Sequence, residues 1–423
     1  MNRTTKYLGL FTDHYELTMA EGYFKAEKEK IIANFDYFFR RNPFGSGFTV
    51  FAGLQDLLEM IADFKFDMAA IDYLHNRGFD SDSLEFLKDF HFTGQMYAPL
   101  EGEIVFPNEP VLRVKSNIIV AQLVETIILN VLNFQSLIAT KACRLRHSAG
   151  DRVLMEFGMR RAQGWAAIQA SRAAVIGGVD STSNIYSAFR YNLNSSGTMG
   201  HSWIQTFKDE LSAFRIYAKA NPEHCVLLVD TYHTLKSGLP NAITVAKEME
   251  QSGQRLSAIR LDSGDLAYLS KKARKELDDA GLNYVKIVAS NQLDEYIVKS
   301  LLEQEAPIDW FGVGTSLVTG KNDAALDGVY KLSLINNRPT LKISEDLIKT
   351  TLPGEKKVLR YFNGNDKFYA DAIALANENE QDILTIFHPQ HPDRNTPVQG
   401  LTSETIVSQV IENGKVIVHE KSI

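Results

Sequence analysis

Val226-Leu-Leu-Val-Asp230 is the first of four apolar runs that each end on a small or acidic residue and lead into a segment with helical spacing. The other three are Leu256-Ser-Ala-Ile-Arg-Leu-Asp262, Tyr284-Val-Lys-Ile-Val-Ala-Ser290 and Trp310-Phe-Gly-Val-Gly-Thr315. They recur roughly every 25–30 residues, which is the length of a strand with its crossover helix and predicts a parallel sheet. We also expect earlier strands of this sheet at Val153–Phe157 and around Val175.

Chemically reactive residues come directly after these apolar runs. They are Asp230, Asp262 with Asp265, Ser290 with Asn291, and Gly314 with Thr315. The carboxyl ends of parallel strands lie at one edge of a sheet, so these side chains are predicted to share a site. An α/β barrel and an open doubly wound sheet both gather residues in this way, so the position of the residues leaves both architectures open.

The chain on either side of the repeats has a different character. Its 423 residues exceed one ordinary core, which favours at least two domains. Residues 1–135 mix helical spacing with short strands and predict an α+β domain, and residues 136–335 form the α/β catalytic domain. For residues 336–423 we predict a β-rich tail that packs on the first domain, with a hairpin at Asn413-Gly414.

Composition limits the compartment and the partners. The net charge of −7 argues against nucleic acid as the main partner. Cys143 and Cys225 have no metal-ligand spacing, so we expect neither a disulfide framework nor a zinc site, and a reducing compartment fits. Asp13, His14 and Glu16 interrupt any apolar segment near the N-terminus, so we expect no signal peptide. Polar residues within Asn117–Ala142 indicate a buried helix rather than a membrane span. These features together predict a cytoplasmic protein.

Two candidate groups could bind anions or act as nucleophiles. Arg160 and Arg161 follow a predicted strand and could bind phosphate, diphosphate or carboxylate, although a surface ion pair with Glu156 is the commoner use of such residues. His201 lies in a Gly- and Ser-rich segment whose backbone can approach a ligand closely, and Asp230 is a candidate to orient its imidazole. A single histidine is more often structural.

Two further groups could bind a phosphorylated sugar. Asp262 and Asp265 suit ribose hydroxyls or Mg²⁺, but helix capping by Asp262 or Ser263 is an alternative use of the same turn. The glycine-rich turn with Gly314 and Thr315 could bind phosphate, or the glycines could serve only to form a tight turn. The chain contains neither a P-loop nor a dinucleotide-binding GxGxxG fingerprint.

Seven motifs occur in a fixed order over residues 8–332. They are Thr12-Asp-His-Tyr-Glu-Leu-Thr-Met, Phe38-Phe-Arg-Arg-Asn-Pro-Phe-Gly, Glu156-Phe-Gly-Met-Arg-Arg-Ala-Gln-Gly, Gly178-Val-Asp-Ser-Thr-Ser-Asn, Gly197-Thr-Met-Gly-His-Ser, Arg260-Leu-Asp-Ser-Gly-Asp-Leu and Phe311-Gly-Val-Gly-Thr. Together they resemble the nicotinate phosphoribosyltransferase family of type II phosphoribosyltransferases. The resemblance implies an irregular parallel α/β barrel and a smaller α/β domain of α+β character built from both chain ends.

The resemblance also implies the reaction. Nicotinate, phosphoribosyl pyrophosphate, ATP and water would give nicotinate mononucleotide, diphosphate, ADP and phosphate, a step of NAD salvage, with ATP phosphorylating His201 and Mg²⁺ as cofactor. The implied binding residues are Tyr15 stacked on the pyridine ring from the partner subunit of a homodimer, Arg160 at the pyrophosphate and nucleotide, Thr198 and Arg260 at nicotinate, Asp262 and Asp265 at ribose and Mg²⁺, and Gly314 and Thr315 at the 5′-phosphate.

Three other functions compete with this one. Nicotinamide phosphoribosyltransferases have the same fold and histidine chemistry but take a neutral base. Quinolinate phosphoribosyltransferases would need more cationic residues and have no phosphohistidine. A non-catalytic nucleotide sensor would not need His201 together with both acids of Asp262-Ser-Gly-Asp265. The paired arginines favour nicotinate.

Overall fold

The computed structural model describes residues 7–343, 351–389 and 391–418. Its α-helices are α1 His14–Lys25, α2 Leu54–Ala62, α3 Met68–Asn76, α4 Ser81–Lys88, α5 Ile118–Leu123, α6 Glu125–Ala149, α7 Ala166–Ile176, α8 Ile185–Tyr191, α9 His201–Gln205, α10 Glu210–Ala220, α11 Leu239–Gln251, α12 Leu266–Asp279, α13 Glu295–Glu303 and α14 Thr315–Val318. A π-helix covers Thr234–Gly238.

Its strands are β1 Ile32–Phe39, β2 Thr49–Val50, β3 Gln95–Ala98, β4 Ile104–Val105, β5 Leu112–Asn117, β6 Val153–Glu156, β7 Ser181–Thr182, β8 Val226–Leu228, β9 Ala258–Leu261, β10 Lys286–Ser290, β11 Trp310–Val313, β12 Gly328–Ile335, β13 Arg338–Pro339, β14 Lys356–Phe362, β15 Phe368–Leu375, β16 Thr385–His388, β17 His391–Pro397, β18 Thr402–Thr405, β19 Ser408–Glu412 and β20 Lys415–Val416. The chain divides into two compact units: a terminal unit, Met1–Leu137 with Ala325–Ser422, and a central unit, Ile138–Ala324.

The terminal unit is built on a sheet in the order β13-β12-β1-β5-β3-β19-β20, to which both ends of the chain contribute. Every pairing in this sheet is antiparallel. The predicted hairpin is confirmed: β19 and β20 pair around Asn413 and Gly414, both with positive φ, as a tight two-residue turn requires. The predicted domain with contributions from both chain ends is therefore present, but it is the larger of the two units, not the smaller.

The boundary between the units differs from the sequence expectation at one end. The sequence pattern places residues up to 335 in the catalytic domain, but β12 pairs with β1 in the terminal sheet. The reason is side-chain packing, since Tyr330 on β12 stacks on Phe35 of β1 with 4.8 Å between ring centroids, and both rings are buried. The central unit consequently ends at Ala324.

The central unit is built on a parallel sheet in the order β7-β6-β11-β10-β9-β8. All four strands predicted from the apolar runs are confirmed, as is the strand at Val153–Phe157, observed as β6. The strand expected around Val175 is wrong. That segment is the alanine-rich helix α7, because alanine favours the helix and does not provide the β-branched surface of a strand.

The strand order supports the predicted architecture. Strands adjacent in sequence pair from β8 to β11, and β11, the last strand of the unit, returns to pair with β6, the first. Return of the last strand to the first is the order of an α/β barrel. Within the described residues, no ladder joins β7 to β8, which is compatible with an irregular barrel.

The long apolar segment expected to be a buried helix is helical. By length and composition, Ile118–Ala149 could cross a membrane, but 72% of its most apolar window is buried in the protein. Such burial is characteristic of a core helix. Cys143 and Cys225 are both free thiols, as expected.

Candidate active site

The carboxyl edge of the central sheet carries a polar cluster centred on Arg260, near the end of β9. Its Nε donates to Ser290 Oγ at 2.9 Å, Nη1 to Thr198 Oγ1 at 2.6 Å and to the Met199 carbonyl at 3.4 Å, and Nη2 to Asp262 Oδ1 at 2.9 Å. A guanidinium has five N–H groups, so four are used within the chain and one on Nη2 remains. Arg260 therefore joins three segments that lie far apart in sequence.

Asp262 is the carboxylate of this cluster. Its Oδ1 accepts from Arg260 and from the Ser290 hydroxyl, and its Oδ2 lies 3.7 Å from His201 Nε2. Burial alone would raise the pKa of Asp262, but the hydrogen bond from Ser290 and the charge of Arg260 outweigh it and hold the pKa below its ordinary value. Asp262 is therefore ionised at neutral pH and presents negative charge to the imidazole.

His201 is the first residue of α9, after Gly200. Its side chain is 42% exposed, so the ring is accessible to solutes. Nδ1 shares a hydrogen bond of 3.1 Å with Thr231 Oγ1, in which the donor depends on the ring tautomer. The ring thus has a hydroxyl at one nitrogen and a carboxylate near the other.

Asp230 does not contact His201, although the sequence suggests it as the residue that orients the imidazole. Its Oδ2 instead accepts from the Asp262 backbone N–H at 2.8 Å and from Ser263 Oγ at 2.6 Å. The side chains of neighbouring residues point in different directions at a strand end, so Asp230 holds the turn after β9 while Thr231 faces the histidine. Asp230 is thus a support of the β9 turn in this structure.

Asp265 caps a helix. Its Oδ1 accepts from the Tyr268 N–H at 3.0 Å, so Asp265 is the N-cap of α12. The sequence had suggested Asp262 or Ser263 for this capping role. Within the part of the chain that the structure describes, no group of three or more His, Cys, Asp or Glu side chains could hold a metal ion. Mg²⁺ needs only one or two carboxylates beside substrate oxygens. Asp262 and Asp265 both accept these hydrogen bonds through Oδ1, which leaves Oδ2 of each as a possible ligand, so the donor chemistry fits Mg²⁺.

Arg160 and Arg161 are exposed, and neither guanidinium has an ion pair among the described residues. Glu156 is not their partner. It is fully buried at the end of β6, where its carboxylate accepts from the Gly158 N–H, from Ser171 Oγ at 2.9 Å and from Thr182 Oγ1 at 2.6 Å. The alternative of a surface ion pair with Glu156 is therefore wrong, and both arginines are available to an anionic solute.

The glycine-rich turn after β11 packs closely on the site. A Cβ on Gly312 would lie 2.6 Å from the Phe157 ring, and one on Gly314 would lie 3.2 Å from the Phe157 carbonyl oxygen. The same ring lies under Arg260, with 5.7 Å from Cζ to the ring centroid. Gly314 precedes the one-turn helix α14, whose first residue, Thr315, is exposed. The turn therefore brings backbone N–H groups to the same edge of the sheet.

Tyr15 belongs to the terminal unit, on α1, where 45% of it is exposed. Burial of its hydroxyl and the neighbouring carboxylates of Glu125 and Glu16 raise the pKa of Tyr15 well above its ordinary value. Tyr15 is therefore a neutral phenol with an accessible ring, the form suited to stacking.

Comparison with known proteins identifies the family. The N-terminal domain profile of nicotinate phosphoribosyltransferase (NAPRTase) matches residues 10–133, the NAPRTase family profile matches residues 153–377, and the C-terminal domain profile matches residues 355–423. The chain belongs to the nicotinate phosphoribosyltransferase family. The resemblance carried by the seven motifs is thus confirmed.

Comparison with individual relatives supports the same family assignment. The chain is 46% identical to nicotinate phosphoribosyltransferase of Bacillus subtilis over 418 residues, which is 96% of this chain and 84% of the relative. The crystal structure of human nicotinic acid phosphoribosyltransferase matches with a TM-score of 0.86 and 29% identity, covering 97% of this chain and 91% of that one. Nicotinate-nucleotide pyrophosphorylase from Pyrococcus furiosus shares the fold, with a TM-score of 0.78 at 23% identity over 100% of this chain and 94% of that one.

Two contacts of the site were not anticipated from the sequence. Thr231 lies at the imidazole and Phe157 lies beneath the guanidinium, and both are next to motifs that the sequence singled out. Ser290 was expected at this edge of the sheet, and the structure adds its contacts with Arg260 and Asp262. A hydroxyl after Asp230 and an aromatic ring after Glu156 have no spacing that distinguishes them from core residues.

Proposed function

We propose that this protein is a nicotinate phosphoribosyltransferase of NAD salvage that couples the transfer to ATP. Nicotinate, phosphoribosyl pyrophosphate, ATP and water give nicotinate mononucleotide, diphosphate, ADP and phosphate. The names of its relatives support the base and the transfer. The observation that carries the proposal is the cluster of Arg260, Asp262 and His201 at the carboxyl edge of the parallel sheet.

The transfer forms a bond from the pyridine nitrogen to the anomeric carbon of ribose as the bond from that carbon to diphosphate breaks. The sugar gains positive charge, and the departing diphosphate keeps the electron pair. Arg160 and Arg161 are proposed to stabilise the diphosphate, because both are exposed and without an ion pair in the described chain. Stabilising the charge of a leaving group is generally a large part of catalysis.

The carboxylate of nicotinate is proposed to bind at Arg260 and Thr198. One guanidinium N–H is uncommitted, so two hydrogen bonds from Arg260 to the carboxylate require exchange of its contact with Thr198. The Thr198 hydroxyl, which donates to the Met199 carbonyl at 3.3 Å, is proposed to turn and donate to the same carboxylate. A neutral amide would place an NH₂ donor against these donors, which disfavours nicotinamide. The ring of Tyr15 from the partner subunit of a homodimer is proposed to stack on the pyridine.

His201 is proposed to take the γ-phosphoryl group of ATP. An imidazole nitrogen attacks phosphorus, the bond to ADP breaks, and the phosphohistidine is later hydrolysed by water to histidine and phosphate. Exposure of the ring and its hydrogen bond to Thr231 support this role. Negative charge at Asp262 stabilises the cationic ring that forms during the attack.

Asp262 and Asp265 are the residues proposed to hold Mg²⁺ and the ribose hydroxyls. When bound, Mg²⁺ would neutralise charge on the diphosphate oxygens. The backbone at Gly314 and the hydroxyl of Thr315 are proposed to bind the 5′-phosphate, since both lie on the same edge of the sheet as Arg260. The free thiols of Cys143 and Cys225 support the proposal of a cytoplasmic location.

One assay tests the function. Mononucleotide formation is measured with nicotinate and with nicotinamide, each with and without ATP, and the protein is incubated with γ-labelled ATP. We expect nicotinate to be preferred, ATP to stimulate turnover, and an acid-labile label to appear on the protein. Preference for nicotinamide would favour the related amide-using enzyme, and a protein that binds ATP without label or product would be a sensor.

A further inference from the structure

We propose that Thr231 is a positioning residue for His201: its hydroxyl holds the imidazole in the orientation that accepts the phosphoryl group from ATP. The inference rests on the proposed phosphorylation of His201. It assigns to Thr231 the orienting role for which the sequence had suggested Asp230.

The contacts of the ring carry the assignment. Among the residues that the structure describes, Thr231 Oγ1 is the side-chain group within hydrogen-bond distance of the imidazole, at 3.1 Å from Nδ1. Asp262 Oδ2, at 3.7 Å from Nε2, is beyond that distance and acts through its charge. Asp230 is engaged with the backbone of Asp262 and the hydroxyl of Ser263. A hydroxyl can donate or accept, so this hydrogen bond fixes the orientation of the ring in either tautomer.

The loop that carries Thr231 is held from two sides. The Val229 N–H donates to the Arg260 carbonyl at 3.2 Å, which joins the end of β8 to β9. Gly238, at the end of the following π-helix, packs so closely on Val229 that a Cβ there would lie 1.9 Å from the Val229 carbonyl oxygen. A residue on such a loop can impose its position on a more mobile partner.

The π-helix itself is anchored by a buried acid. Glu210 Oε2 accepts from Ser237 Oγ at 2.5 Å and from Asn241 Nδ2 at 3.1 Å. Glu210 is only 3% exposed, so these contacts are shielded from water. The segment that follows Thr231 is therefore tied to α10.

The histidine, by contrast, depends on few contacts. It begins a helix of five residues, and 42% of its side chain is exposed, so packing restricts its ring rotation little. The segment that precedes it is held by Arg260, which donates to the Thr198 hydroxyl at 2.6 Å and to the Met199 carbonyl at 3.4 Å. One hydrogen bond to a fixed hydroxyl then decides the ring orientation.

The test compares Thr231→Val, which keeps the shape and removes the hydroxyl, with Thr231→Ser, which keeps the hydroxyl. Thr231→Ala is a second hydroxyl-free variant in case valine impairs folding, and Thr244→Val is the matched control, because that hydroxyl bonds to Pro240 of its own helix. Label transfer from γ-labelled ATP and the ratio of ATP-stimulated to ATP-independent turnover are measured in the full-length protein. We expect the hydroxyl-free variants to label about five- to tenfold more slowly, with a matching fall in the ratio, and serine to restore both.

The outcomes separate this inference from the function on which it rests. Absence of label on the unmodified protein overturns the phosphohistidine and the inference with it. Normal labelling of Thr231→Val or Thr231→Ala beside a labelled unmodified protein overturns the inference alone. Equal loss of ATP-stimulated and ATP-independent turnover, or failure of serine to restore labelling, overturns it as well and assigns Thr231 to substrate binding or to shape.

Discussion

Arg260 and Asp262 form an ion pair, with 2.9 Å between Nη2 and Oδ1, although only one residue separates them in the sequence. Side chains two apart on a strand point to the same side, which is why the end of β9 can present both charges together. The pair leaves Asp262 Oδ2 directed at His201 and leaves one N–H of Arg260 uncommitted. The Oδ2 atom of Asp262 and the remaining N–H of Arg260 can therefore take part in catalysis or substrate binding, beyond any contribution of the ion pair to stability.

Asp262→Asn is expected to lower turnover by at least about tenfold with little change in melting temperature. Asparagine keeps the size and an oxygen that can accept from Arg260 and Ser290, so the turn keeps its contacts. It removes the negative charge that faces His201, and a charge-assisted interaction with the reacting groups is worth about 1.5–3 kcal/mol. Steady-state kinetics and thermal unfolding check the two expectations. Asp279→Asn, at the exposed end of α12, is the control for loss of a carboxylate. Retained activity with lowered stability would give Asp262 a purely structural role.

His201→Ala is expected to abolish ATP hydrolysis and ATP stimulation while slow ATP-independent transfer continues. The remaining groups still hold both substrates close together, and proximity alone contributes several kcal/mol. ADP release and mononucleotide formation are measured in parallel. His224→Ala, exposed and on the opposite edge of the sheet, serves as control. Full ATP stimulation in His201→Ala would exclude His201 as the phosphorylated group.

Arg260→Gln is expected to raise the KM for nicotinate by about one to two orders of magnitude, the equivalent of one charge-assisted hydrogen bond. Any use of nicotinamide should change much less, because that base has no carboxylate. The comparison of KM values for the two bases is the measurement, with Arg255→Gln before β9 as the matched control.

Four contacts of Arg260 within the chain would also be lost in this variant, so its melting temperature is measured alongside the kinetics. Equal losses for both bases would mean that Arg260 supports the shared ribose or diphosphate site. Thr198 and Arg160 would then be the next candidates to recognise the carboxylate.

Asp265→Asn separates a helix cap from a metal ligand. Asparagine caps helices as well as aspartate does, so the melting temperature should stay within about 1 °C, whereas Asp265→Ala loses about 1 kcal/mol. If Asp265 holds Mg²⁺, Asp265→Asn should need several-fold more Mg²⁺ for half-maximal activity. Titration of activity with Mg²⁺ after treatment with a chelator gives the answer, and an unchanged Mg²⁺ requirement would leave Asp265 as a cap alone.

Glu16→Gln should stabilise the protein more at pH 8 than at pH 5. Burial raises the pKa of Glu16 from 4.5 to about 7, against the hydrogen bonds from Thr12 and Thr126 and with the help of the charges of Glu125 and Asp13. An acid whose pKa is higher in the folded chain binds more protons when folded, so the folded state loses stability as the pH rises from about 4.5 through 7.

Glutamine removes this loss, and the difference in its effect between the two pH values should be about 2 kcal/mol in favour of the variant at pH 8. Thermal unfolding at both pH values measures it. Glu85→Gln, a surface variant of the same unit, controls for removing one negative charge. A stability difference that is independent of pH, or larger at pH 5, would contradict the assignment of a raised pKa to Glu16.

Much of the fold was predictable from local pattern. Apolar runs closed by Asp230, Asp262, Ser290 and Thr315 indicated parallel strands and the edge at which their reactive residues meet, because both follow from side-chain periodicity and strand polarity. The tight turn at Asn413-Gly414 was equally local. The error around Val175 arose because a short apolar segment suits a helix or a strand equally well until its packing is known.

The sequence alone therefore determined the family, most of the strands of the parallel sheet and the reactive edge, whereas the order of the strands came from the structure. Only the tertiary structure decided which side chains meet there: Thr231 at His201, and Asp230 at the turn after β9. The physical reason is that hydrogen bonds depend on side-chain directions to within tenths of an ångström, between residues that are 30 or more positions apart. Periodicity fixes the face of a strand, but it leaves open which of two adjacent residues at its end turns toward a partner from another segment.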